Sequence, residues 1–179
     1  YGDVFAFDIS DEALKFAKKR NIRTLVKASA NQLPFKSGVF DFTTSFDVLY
    51  HQLVDDSAAI KEMSRISKSG GVIFVRVPAL KSLMRAHDAV VHTKKRFNMQ
   101  EMENLLEKAD FKIKKLTYAN FFLFPAVFLQ KNSTGSDIKE SGIFQNTILK
   151  SILKFESVLL KYINFPVGVS LIAIAQKTY

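Results

Sequence analysis

Short apolar runs alternate along the chain with segments whose apolar positions recur every three or four residues. Val4-Phe5-Ala6-Phe7 is the first run, closed by Asp8. Ser10 then precedes a segment with Asp11 and Glu12 at its start and Lys18, Lys19 and Arg20 at its end, which predicts a capped helix whose charges oppose its dipole. Residues 23–28 and 40–46 have strand length and end in small or polar residues; the second is entered through Leu33-Pro34-Phe35 and a turn at Ser37-Gly38. Between 57 and 67, Ile60, Met63 and Ile66 keep helical spacing, and Gly70-Gly71 is expected to stop that helix before the strand Val72-Ile73-Phe74-Val75.

Strands separated by single helices cannot pair as hairpins, so an α/β domain with a mostly parallel sheet is predicted, its ligand at the carboxyl ends of the strands. A loop over 78–97 leads to a helix opened by Asn98, with Glu101 three residues on and Met102, Leu105, Leu106 and Ala109 along one face. A strand over 111–118 follows, then a polar loop or insertion at 132–142, an amphipathic helix over 143–164 and a buried last strand over 167–175. No repeat or second domain is visible, so residues 1–179 read as a single, partial domain.

The 179 residues are 47% hydrophobic and 24% charged, ordinary values for a folded domain. No cysteine is present and there are three histidines, His51, His87 and His92, so a disulfide framework is excluded and a structural metal is not expected. An excess of 26 Lys and Arg over 17 Asp and Glu raises encounter rates with anionic surfaces. The longest apolar stretch, 118–129, is broken by Asn120 and Pro125 and falls short of the roughly 20 residues that span a bilayer. The start shows no export signal, which makes a cytoplasmic location the default, and Tyr1 beside a core-like strand reads as a fragment that opens in mid-domain.

A carboxylate at a strand tip, as at Asp8, can accept hydrogen bonds from both ribose hydroxyls of a nucleoside; the same residue before a Ser-capped helix is also ordinary turn chemistry. Leu33-Pro34-Phe35, followed by Val39-Phe40-Asp41-Phe42-Thr43-Thr44-Ser45-Phe46 and Val48-Leu49-Tyr50-His51, resembles the middle of a class I S-adenosylmethionine-dependent methyltransferase of the type 11 kind. With Asp8-Ile9-Ser10 and the helix, Gly-Gly turn and strand over 62–75, the resemblance covers residues 4–78, and 97–124 is similar to the C-terminal part of one branch of that family.

The resemblance implies a Rossmann-like fold with S-adenosylmethionine as cofactor, Asp8 on the ribose and Ile9 against the adenine face. Ser29-Ala30 stands where members usually carry Asp-Ala, leaving a neutral acceptor for the adenine amino group. Phe46 and Asp47 fall next to the methionine moiety, and Tyr50 and His51 line the passage to the acceptor. The family's first strand and its G-x-G-x-G loop have no counterpart in this sequence. That strand lies between those ending at Asp8 and Phe46, so an isolated chain is expected to be poorly stable or to pair its strands abnormally, since unpaired buried backbone groups cost about 1–3 kcal/mol each.

His51 could act as a general base or as a positioning group, and His87 and His92 read as substrate-side residues; no metal is expected. The basic amphipathic segment 143–164 fits either peripheral contact with an anionic membrane or packing on the sheet. Phe121-Phe122-Leu123-Phe124-Pro125 fits a pocket for a lipid-like acceptor or plain core. Nucleic acid is disfavoured because the lysines are scattered. The sequence therefore points to methyl transfer onto a small-molecule, glycan or lipid-type acceptor. Alternatives are a non-catalytic Rossmann-like remnant serving as a binding module, and a nicotinamide-dependent oxidoreductase, against which the 33–51 block argues.

Overall fold

The computed structural model describes residues 2–20, 22, 24–84, 92–129 and 143–179. Strands β1 (Phe5–Asp8) and β2 (Thr24–Lys27) pair in parallel, joined by helix α1 (Asp11–Lys19). Ser10 caps α1, its Oγ accepting from the Ala13 amide at 3.3 Å. Strand β3 (Phe40–Phe46) pairs in parallel with β4 (Ser67–Pro78) across helix α2 (Asp56–Ile66). Helix α3 (Met99–Glu107) leads into β5 (Phe111–Ala119), helices α4 (Phe124–Leu129) and α5 (Ile143–Leu159) follow, and β6 (Ser170–Lys177) ends the sheet. Four of these strands lie in the order β3-β4-β6-β5, and β1-β2 form a separate pair.

The class is the expected Rossmann-like α/β, with a larger antiparallel share than helix alternation suggests, because β6 runs antiparallel to both β4 and β5. The cause is a return of the chain: after α4 and α5 it comes back to the sheet end where β5 stopped, so that Ser170 pairs with Ala119. Gly168 makes that return feasible. A Cβ there would lie 2.3 Å from the Ala119 carbonyl oxygen, a contact no side chain tolerates.

Apolar stripes of α2 (Ile60, Met63) and α3 (Met102, Leu106) bury against the inward positions Ile73, Val75 and Val77 of β4 and Leu171, Ala173 and Ala175 of β6. Phe97, fully buried, fills the space beneath them. The capping box expected at Asn98 is present: its side chain accepts from the Glu101 amide at 2.8 Å, and Glu101 accepts from the Asn98 amide at 3.2 Å. Gly70-Gly71, by contrast, does not stop α2. The helix ends at Ile66, where the Ser67 amide closes the last turn on Met63 and Ser64, and β4 begins at once by pairing Ser67 with Phe40. The glycines instead form an excursion before Val72 rejoins the ladder opposite Phe42; Gly70 has φ 75°, and a Cβ on Gly71 would meet the Lys68 carbonyl oxygen at 2.8 Å.

The segment Leu33-Pro34-Phe35 is fixed to α2 by an ionic clasp. Glu62 accepts from the Leu33 amide and from Arg65, while Arg65 donates to the carbonyls of Leu33 and Phe35. The Arg65 guanidinium, with the Leu33 amide, holds the Glu62 carboxyl below its ordinary value of 4.5 against the opposing effect of burial. A carboxyl lowered on folding stabilises above its unfolded pKa, and that contribution disappears as pH falls through the folded value. Glu62→Gln is therefore expected to lose about 1–2 kcal/mol at neutral pH, from charge-assisted hydrogen bonds. In urea titrations the gap to wild type should narrow steadily below about pH 4. A pH-independent gap would remove the ionic role.

Among the described residues no strand lies between β1 and β3, and their facing edges border a cleft of about 860 Å³. The rings of Phe5, Phe35 and Phe40 meet edge to face at 5.0–6.0 Å along it, while Phe42 stays largely exposed.

The helix expected over 143–164 runs as α5 to Leu159 and continues as turns. The loop expected at 132–142 lies outside the described residues. Glu156 of α5 is buried and accepts from the amides of Asn120 and Phe122, joining the helix to the end of β5, where Asn120 takes φ 58°. No helix among the described residues is long and apolar enough to cross a membrane.

Candidate active site

The carboxyl ends of β1 and β3 open on a cleft of about 270 Å³ lined by Phe7, Asp8, Ala30, Leu33, Phe46 and Leu49, among others. Asp8 stands where β1 gives way to α1. Its Oδ1 accepts from the Ser10 amide at 2.8 Å, which aims the carboxylate across the turn, and among the described residues nothing donates to Oδ2. Three of the residues singled out from the sequence, Asp8, Ala30 and Phe46, thus share one cleft.

The others are arranged around it. Ile9 is 55% exposed in the turn after β1. Ser29 accepts from the Asn31 amide at 3.2 Å, a local turn bond that shapes the backbone holding Ala30. Asn31 in turn donates to the Leu53 carbonyl and accepts from the Asp55 amide, which fastens 29–32 to the start of α2.

Asp47 follows β3 with φ 54°, a conformation that costs a non-glycine residue energy and that Asp tolerates better than most. Its carboxylate pairs with Arg76, whose guanidinium lies 5.6 Å from the Phe46 ring centroid. Arg76 escaped the sequence reading. Its signal was a single cation inside the otherwise apolar run Val72-Ile73-Phe74-Val75-Arg76-Val77, and among the described residues its buried Nε has no hydrogen-bond partner.

Tyr50 is half-buried against the core, and its carbonyl accepts from the Lys94 amide. His51 Nδ1 accepts from the Leu53 amide at 3.2 Å. In a neutral ring that places the proton on Nε2, so His51 presents a donor there, an arrangement suited to orienting an acceptor rather than deprotonating it. The His51 and His92 rings lie 5.8 Å apart edge to face, and His92 Nδ1 meets the Gln52 side chain at 3.1 Å. His51 and His92 are thus brought together, and neither lines the cleft with Asp8. His87 lies outside the described residues.

The sequence model of a family described as a methyltransferase domain matches residues 1–75, the stretch that carries Asp8, Ala30 and Phe46. Residues 1–75 are thus similar to a methyltransferase domain. Solved structures share the fold along almost the whole length. A S-adenosylmethionine-dependent methyltransferase from Thermotoga maritima is 22% identical, with a TM-score of 0.60 over 97% of this chain and 72% of its own. Phosphoethanolamine N-methyltransferase 2 of Haemonchus contortus, solved with S-adenosyl-L-methionine, is 17% identical with a TM-score of 0.65, over 99% of this chain and 44% of its own. Geranyl diphosphate C-methyltransferase of Streptomyces coelicolor is 13% identical with a TM-score of 0.63, over 98% and 63%. A search of curated proteins gives no match. S-adenosylmethionine is the cofactor named for two of these structures.

The residues present fit the nucleoside half of that cofactor. A carboxylate at a strand tip, with one oxygen unpaired among the described residues, and the apolar wall of Ala30, Leu33 and Leu49 suit a ribose and a flat base. At the end of β3 the described residues add Phe46 and the Asp47–Arg76 pair.

Proposed function

We propose that this chain directs the methyl group of S-adenosylmethionine to a small-molecule, glycan or lipid-type acceptor. The observation that carries the reading is the convergence of Asp8, Ala30 and Phe46 on one cleft at the carboxyl ends of β1 and β3, within the segment matched by the methyltransferase family. The cofactor, when bound, supplies an electrophilic methyl group on a sulfonium. Asp8 holds the ribose hydroxyls through its carboxylate, Ile9 covers the base and Ser29 accepts from its amino group. Phe46 and Asp47 border the methionyl end, with Arg76 holding the Asp47 carboxylate in place. Tyr50, His51 and His92 lie on the acceptor side, where alignment and exclusion of water contribute more than proton removal. The reading includes a cytoplasmic location and peripheral contact with an anionic membrane. Phosphoethanolamine and geranyl diphosphate, named for two proteins of the same fold, belong to the range of acceptors proposed.

Calorimetric titration with S-adenosylhomocysteine, paired with transfer of a labelled methyl group to a panel of hydroxyl, amine and prenyl acceptors, tests this. Micromolar binding with transfer to one acceptor class is expected. A second reading, a Rossmann-like module that binds without catalysis, is favoured by the open edges of β1 and β3 beside the cleft. Absence of both binding and transfer would select it.

A further inference from the structure

We propose that the exposed face of α5, together with the adjoining aromatic residues of the β5–α4 corner, docks on an anionic lipid bilayer. This deepens the membrane-contact part of the preceding reading and is independent of methyl transfer. At about 100° per residue, Lys150, Lys154 and Lys161 fall on one stripe about 40° wide, the last of them just past the helix end. Glu156 lies almost opposite, 2% exposed and bonded to the amides of Asn120 and Phe122, so the lysine stripe faces away from the protein. Between the stripe and the buried side runs an apolar shoulder: Phe155 is 59%, Val158 48% and Tyr162 81% exposed. The shoulder continues onto the protein body, since the Phe155 ring meets that of Phe122 at 5.9 Å, and Phe128 and Leu129 of α4 are also exposed.

Charge decides the occupant. The one acidic residue of α5 is the buried Glu156, and among the described residues the three lysines pair with no carboxylate. The chain as a whole carries a net charge of +9. A surface of aromatic and aliphatic side chains edged by unpaired lysines matches the boundary between acyl chains and anionic headgroups, where rings insert and ammonium groups meet phosphate and carboxylate. A tyrosine on the shoulder suits the same depth, apolar at the ring and polar at the hydroxyl.

Flotation of the full chain with vesicles holding about 30% phosphatidylserine, against pure phosphatidylcholine vesicles, tests this. At least about tenfold more protein is expected to float with the anionic vesicles, falling as salt rises. The triple variant Lys150→Glu, Lys154→Glu, Lys161→Glu is expected to lose that difference while its melting temperature and circular dichroism stay unchanged; Phe155→Ser with Tyr162→Ser is expected to do the same. Equal partitioning to both vesicles, retention by the charge-reversed variant, or a concentration-dependent dimer abolished by Phe155→Ser in the absence of lipid would each overturn it. None of these readouts depends on cofactor binding.

Discussion

Asp8→Ala is expected to weaken S-adenosylhomocysteine binding by at least about 30-fold, because on the proposed reading it removes a charged acceptor for two ribose hydroxyls, each bond to a charged group being worth about 1.5–3 kcal/mol. The informative companion is Asp8→Asn. An asparagine oxygen can still accept from the Ser10 amide, so the turn into α1 survives and only the charge at the strand tip is lost. Calorimetry should place Asn between wild type and Ala, with melting temperatures unchanged. Wild-type affinity in the Asn variant, or a common loss of folding in both, would reject the ribose assignment and leave Asp8 as a turn residue.

The second large effect concerns stability. Glu156→Ala leaves the amides of Asn120 and Phe122 without their acceptor at a partly buried corner, at about 1–3 kcal/mol for each unsatisfied group. A total loss of about 2–5 kcal/mol is expected, with a fall in melting temperature of about 5–15 °C for a chain of this size. Glu156→Gln keeps one carbonyl oxygen and should lose about half as much. Urea midpoints decide the matter: an Ala variant within about 0.5 kcal/mol of wild type would show that water replaces the carboxylate without cost.

Local chemistry explains which parts of the fold the sequence disclosed. The Ser10 cap, the Asn98 capping box and the helical stripe of Ile60 and Met63 act within four residues, and all are present as read. The position of β6 was not legible, since it is set by where the chain returns after α4 and α5 and by the contact of Gly168 with Ala119, neither of which leaves a periodic trace. Gly70-Gly71 misled for a related reason. Glycine marks positive φ or close approach wherever these occur, and here they occur inside a strand. At the candidate site, Asp8 carried a motif that sequence could single out, whereas the partnership of Asp47 with Arg76 spans 29 residues and joins the end of β3 to β4. Glu156 was hidden as well, an acid in a helix that otherwise reads as basic and apolar.

The break in the ladder between β1 and β3 has a consequence for how the molecule opens. Cooperative unfolding units follow continuous hydrogen bonding and shared apolar contact. Strands β4 and β6 sit in the middle of a four-stranded sheet with helices packed on it, whereas β1 and β2 are four residues each, pair among the described residues only with one another, carry a helix with no buried residue, and touch β3 through the Phe5–Phe40 ring contact. The layer that bears Asp8 is therefore expected to part from the rest first, which hydrogen exchange would show as earlier exchange of the β1 and β2 amides than of β4 and β6. Any ligand that bridges Asp8 to Phe46 fastens the softer body to the stiffer one, so that occupancy of the cleft and integrity of the amino-terminal layer become a single equilibrium.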